Sequence, residues 1–121
     1  HWISLLSRTA NADGFGAVTL RDLVKQTLRM KPDRILIGEC RGDEVINLLQ
    51  ALNTGHRGTL STLHANSARE ALKRLELLAM IGARGTIPAT LVRELIANSV
   101  QKIVYLERLS HHLRRQSPPY R

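Results

Sequence analysis

A chain of 121 residues with 43% apolar content has the length for one small domain and the apolar fraction for a core, which excludes a disordered polypeptide. No apolar run approaches the roughly 18 residues that a membrane span needs, and the single cysteine, Cys40, cannot close an internal disulfide, so a reducing, cytosolic setting is expected. The formal charge of +8 is unevenly spread: Arg108 to Arg121 holds four arginines and no acid, whereas Arg69, Glu70, Lys73, Arg74 and Glu76 mix both signs at helical spacing, the pattern of a solvated face.

The first residue is His1 and no charged-then-apolar signal opens the chain, so the sequence reads as a piece of a longer protein. A short apolar run, Trp2 to Leu6, leads into "RTANADGFGAV", whose Asn, Asp and Gly residues predict a loop. In "TLRDLVKQTLRM", Thr19 is an N-cap with Asp22 three residues on, and Leu20, Leu23, Val24 and Leu28 share one helical face. Lys31-Pro32-Asp33 stops that helix, because the residue before proline avoids the helical region. Arg34 to Gly38 then reads as a fully buried strand.

From Gly42 to Thr54 the apolar positions Val45, Leu48, Leu49 and Leu52 recur at three and four, with Gly55 as the C-terminal cap. "GTLSTLH" predicts a strand ending at His64. Ser67 and Glu70 predict a capping box before a helix through Ala71, Leu72, Leu75, Leu78 and Ala79. Gly82 and Gly85 are expected to break it. Pro88 opens a helix through Leu91, Val92, Leu95 and Ile96, and Val100 to Leu106 reads as a last strand.

Strands alternating with helices predict an α/β fold with a mostly parallel sheet, since parallel strands need long crossovers. Ligands of such sheets bind outside the carboxyl ends of the strands. Glu39 follows one predicted strand and His64 ends the next, so both are expected in one crevice. An acid there can hold a water, or a water of a Mg²⁺ shell, against a bound phosphate.

These residues carry a closer likeness. "PDRILIGECRGDE" followed by "LLQALNTGHRGTLSTLHANSAREALKRLE" resembles the Walker B and His-box segments of the secretion ATPases, the traffic ATPases of type II and type IV secretion, conjugation and pilus assembly, and above all their CpaF/TadA-like and TrbB-like branches. The likeness spans residues 1–108, which the resemblance makes the C-terminal part of a RecA-like P-loop NTPase core, followed by a basic tail, 109–121, expected to be disordered. It implies a cytoplasmic ATPase, peripheral at a bacterial inner membrane, that uses ATP and Mg²⁺ as a homo-hexamer beside membrane-embedded secretion or pilus-assembly proteins.

Residue by residue, the resemblance makes Glu39 the Walker B glutamate that activates water and supports Mg²⁺ through water, with no direct metal ligand assigned. His64 becomes the His-box residue that approaches the terminal phosphate, and His56 its companion at nucleotide or interface. Arg8 and Arg21 match arginines that reach nucleotide in the same or a neighbouring subunit. Arg41 and Glu44 match the charged residues after Walker B, with coupling or structural roles. Cys40 reads as core packing, and Cys40, His56 and His64 match no common zinc spacing.

The phosphate-binding G-x-x-x-x-G-K-[ST] is absent: no glycine precedes any of the four lysines, so the chain alone is expected to be inactive. The competing reading is a non-catalytic basic module that docks on a protein or on nucleic acid. Four aromatic residues are too few for a base-stacking platform, so no specific nucleic acid is expected.

Overall fold

A computed structural model describes residues 1–56 and 58–109. The order of elements is α1 (Leu20–Arg29), β1 (Leu36–Ile37), α2 (Glu44–Asn53), β2 (Leu60–Ser61), α3 (Ala68–Ala83) and α4 (Ala89–Ser99). Before them, Arg8 and Val18 form an isolated antiparallel bridge. Asn11 closes the turn between, its Oδ1 accepting from the N–H groups of Asp13 at 3.1 Å and Phe15 at 2.8 Å.

The predicted cap of α1 forms in both directions. Thr19 Oγ1 accepts from the Asp22 N–H at 3.1 Å, and Asp22 Oδ2 accepts from the Thr19 N–H at 3.0 Å. At α3 only half of the predicted box forms: Ser67 Oγ accepts from the Glu70 N–H at 3.1 Å, with no return bond from the Ser67 N–H to the Glu70 carboxylate among the described residues.

The core is built around α2, which packs against α1, α3 and α4. Val45, Ile46, Leu48 and Leu49 of α2 are buried against Val24, Leu78, Ala79, Ala83, Val92 and Ile96. Most of these are positions of the predicted apolar stripes; Ile46 and Ala83 join them, whereas Leu72 and Leu91 of the stripes stay 38% and 44% exposed. Burying each large side chain is worth about 1.5–3 kcal/mol. A buried bond from Ser99 Oγ to the Leu49 carbonyl, 3.3 Å, ties the end of α4 to α2.

β1 and β2 run parallel, with Leu36 opposite Leu60 and Ile37 opposite Ser61. The strands are shorter than predicted, and β1 is not fully buried. Ile35 and Ile37 point into the core at 5% and 6% exposure, but Leu36 is 48% exposed. In a strand successive side chains face opposite ways, and among the described residues helices cover only one face. Val100 to Leu106 forms no strand. A strand exists through backbone pairing with a neighbour, and no strand among the described residues pairs with it; Tyr105 Oη donates to the Asn66 carbonyl at 2.8 Å. The tail predicted from residue 109 lies, from residue 110 onward, outside the described residues.

Gly82 does not break α3, which runs on to Ala83. A β-carbon on Gly82 would sit 2.5 Å from the Asp43 carbonyl oxygen and 2.7 Å from Ile46 Cγ2, so this glycine permits close approach of α3 to the start of α2. The helix ends one residue later, through left-handed Arg84 and Gly85 at φ 51° and 75°.

Candidate functional site

The segment Gly38–Glu44 leaves β1 at its carboxyl end and enters α2. It is held from the neighbouring strand: the Cys40 N–H donates to the Thr62 carbonyl at 2.9 Å, and Thr62 Oγ1 donates back to the Gly38 carbonyl. Cys40 is buried with its Sγ 3.0 Å from Ser61 Oγ. Burial pushes its thiol pKa up, which disfavours the nucleophilic thiolate.

The charges of this turn divide into two sets. Glu44 and Asp43 work inward. Glu44 Oε1 accepts from the N–H groups of Arg41 at 2.7 Å and Gly42 at 3.0 Å. A carboxylate that is only 4% exposed thus satisfies two backbone donors just ahead of α2, at the helix end that favours negative charge. Asp43 makes no cap bond. Instead its Oδ2 takes a bond from Arg21 at 3.0 Å, while the same guanidinium nitrogen donates to the Gly82 carbonyl at 3.2 Å. Arg21 therefore joins α1, the start of α2 and the end of α3.

Glu39 and Arg41 work outward. Arg41 Nε donates to Glu39 Oε2 at 2.7 Å, and on the other side His64 Nε2 stands 3.4 Å from Glu39 Oε1. The Arg41 hydrogen bond, and after it the positive charges of Arg41, His64 and Arg74, hold the Glu39 carboxyl below its ordinary value against the opposing effect of desolvation. Its side chain is 23% exposed and that of His64 is 88% exposed. The result is an ionised carboxylate with one oxygen tied to Arg41 and the other facing an open histidine.

The remaining sequence-predicted residues lie elsewhere. His56 precedes β2 whereas His64 follows it, and α2 returns the chain to the amino end of the sheet over roughly 15 Å, ten residues at the helical rise. There His56 Nδ1 lies 3.3 Å from the Ala51 carbonyl, at the end of α2. Cys40, His56 and His64 thus do not converge. Arg8 lies on the exposed N-terminal bridge, its Nε donating to the Gly16 carbonyl at 2.7 Å. Three contributors escaped sequence reasoning. Asp43 could have been suspected from the acid pair in "RGDE", and Thr62 from its place between the strand and His64. Arg74 is indistinguishable in sequence from its helix-face neighbours.

Comparison with known proteins follows the same segment. Residues 6–118 match the family model described as type II/IV secretion system protein. A Mycobacterium tuberculosis (strain H37Rv) protein named for conjugal transfer is 46% identical over 108 residues, which is 89% of this chain and 30% of that protein. The conjugal transfer protein TrbB of Rhizobium radiobacter is 42% identical over 91 residues, 75% of this chain and 27% of its own length. Among solved structures, the VirB11 ATPase of the Brucella suis type IV secretion system, in complex with sulphate, superposes with a TM-score of 0.65 at 34% identity, covering 69% of this chain and 25% of that one. The chain thus spans about 30% of the length of the first curated relatives it matches.

Proposed function

The chain belongs to the type II/IV secretion system protein family, and from that premise we propose that it is the Walker B and His-box part of an ATP-hydrolysing motor serving type II or type IV secretion, conjugation or pilus assembly. The observation that supports this most is the meeting of Glu39, Arg41 and His64 at the carboxyl end of a parallel strand pair, the edge where α/β sheets take their ligands. The α/β fold is shared with the secretion ATPase of matching structure, a RecA-like core.

The residues present fit part of a Mg-nucleotide site. Glu39 offers a hard, ionised oxygen of the kind that holds a hydrated Mg²⁺, whereas the phosphate cradle G-x-x-x-x-G-K-[ST] is not in the 121 residues. Bound Mg²⁺ would neutralise charge on the phosphoryl group in transfer. Glu39 Oε2 is committed to Arg41, so Oε1 is the oxygen that accepts the proton of the attacking water. Arg41 keeps this carboxylate ionised and oriented. The open ring of His64 turns from Glu39 to donate to a phosphate oxygen. Glu44 and Asp43 fix the turn that carries Glu39 and Arg41 and so act through position.

In this reading Arg8, Arg21 and His56 serve nucleotide or subunit contacts of a homo-hexamer, with Arg21 exchanging Asp43 for its ligand. The motor works in the cytoplasm at the inner membrane with membrane-embedded partners and without specific nucleic acid. The chain by itself neither binds Mg-ATP tightly nor hydrolyses it. The test is Glu39→Gln in a chain extended upstream through a phosphate loop. ATP binding should persist while turnover falls by about 10² to 10⁴, the worth of a positioned general base. Unchanged turnover would remove Glu39 from the chemistry.

A further inference from the structure

An open groove of about 600 Å³ lies between α3, α4 and the segment that follows α4, and it shares no lining residue with the site described above. One wall is Arg69, Leu72, Lys73 and Glu76 and the other is Arg93, Ile96, Ala97 and Val100, continued by Lys102 and Ile103. α3 contributes positions i, i+3, i+4 and i+7, and α4 positions i, i+3 and i+4 followed by its cap residue Val100, so each wall is a single stripe. The floor is aliphatic and unfinished: Leu72 and Ile103 remain 38% and 39% exposed.

The rim is basic. Glu76 is the one carboxylate of the lining, and Arg93 takes it at 2.9 Å. Arg69, Lys73 and Lys102 have no ion-pair partner among the described residues. A second copy of this +8 chain, or its own acid-free end from Arg108, would bring like charge to that rim. Aliphatic side chains without aromatic faces offer nothing for nucleic-acid bases to stack on. We propose that this groove is a docking surface for an acidic amphipathic helix of a partner protein, with aliphatic residues at i, i+3/i+4 and i+7 on the floor and Glu or Asp along its flanks.

The probe is a fluorescent helical peptide with a Leu stripe and Glu flanks, titrated by anisotropy against the 121-residue chain and against the chain extended through a phosphate loop. Saturable binding to both is expected, with affinity falling as salt rises. Lys73→Glu with Lys102→Glu should weaken it about tenfold or more through like-charge contact, and a Lys-flanked peptide should bind that variant better than the original. Far-UV circular dichroism establishes that the variant is folded, and Ala97→Gln, which fills the floor without changing charge, should weaken the Glu peptide as well. The proposal fails if an acidic peptide with its Leu stripe scrambled binds equally well, or if single-stranded DNA competes it away at the same site. It also fails if the extended chain does not bind, since the groove is then covered by the protein itself.

Discussion

His56 and His64 flank the same two-residue strand, yet they occupy different chemical worlds. His64 meets a carboxylate at the carboxyl end of the sheet, with its ring in solvent. His56 faces a helix carbonyl at the amino end, where it closes a turn. In a parallel sheet the chain enters every strand from one side and leaves at the other, so residues just before and just after a strand are kept apart by the strand itself. Nearness in sequence is a poor guide to a shared site, and place relative to the strand is a better one.

The sharpest break of that comparison is a pair of alanine variants in a chain extended through a phosphate loop. His64→Ala should lower turnover by about 10² to 10³, the usual worth of one donor to developing charge, with little change in melting temperature. His56→Ala, at the opposite end of the sheet and a subunit contact rather than a donor to phosphate, should lower turnover far less. Equal losses from both would mean that the two ends of the sheet act on one substrate, and the separation described above would be wrong.

A second variant asks whether the chemical end depends on the packing behind it. Gly82→Ala places a β-carbon against the Asp43 carbonyl and Ile46, which is backbone and core rather than a flexible side-chain tip. Overpacking of this kind costs about 1–3 kcal/mol, measurable by urea unfolding of the 121-residue chain. It should also disturb the Arg21 contact to the Gly82 carbonyl. A variant as stable as the parent would show that α3 can move away from α2 freely.

How much of this could be read from the sequence depends on whether the cause was local. Thr19 with Asp22 and the stripe through Val45, Leu48 and Leu49 were legible because capping and periodicity act within one helix. The meeting of Glu39 with His64 was legible once the strands were taken as parallel. The interior of "CRGDE" was not: Asp43 finds Arg21 across the fold, and no spacing rule connects them. Gly82 misled because a glycine that admits a neighbouring helix looks, in sequence, like one that ends its own. Val100 to Leu106 misled because its apolar residues satisfy a strand pattern while a strand also needs a partner.

Arg41 gives a smaller, pH-resolved test at the chemical end. Its hydrogen bond is the foremost cause of the lowered Glu39 pKa, so Arg41→Ala should move that pKa upward. A depressed folded-state carboxyl contributes stability above its unfolded pKa and loses it as pH falls through the folded value. Removing Arg41 should therefore flatten the acid-side loss of stability in the 121-residue chain. In an extended, active chain it should shift the acid limb of the rate profile to higher pH. An unmoved acid limb would mean that Glu39 does not set it.

The smallest effect belongs to the amino end. In the tautomer that carries its proton on Nδ1, His56 donates to the Ala51 carbonyl at 3.3 Å, a carbonyl that also accepts from Thr54 Oγ1 at 2.9 Å. These side chains add to the backbone N–H groups of Thr54 at 3.1 Å and His56 at 3.5 Å, which already bond this oxygen at the end of α2. Because Thr54 remains, His56→Ala should cost at most about 1 kcal/mol, the net worth of one such bond. The double change His56→Ala with Thr54→Val should cost close to the two single changes added together, since the backbone donors still hold the oxygen. A double-variant cost well above that sum in thermal melts would show that the side chains, rather than the backbone N–H groups, satisfy this carbonyl.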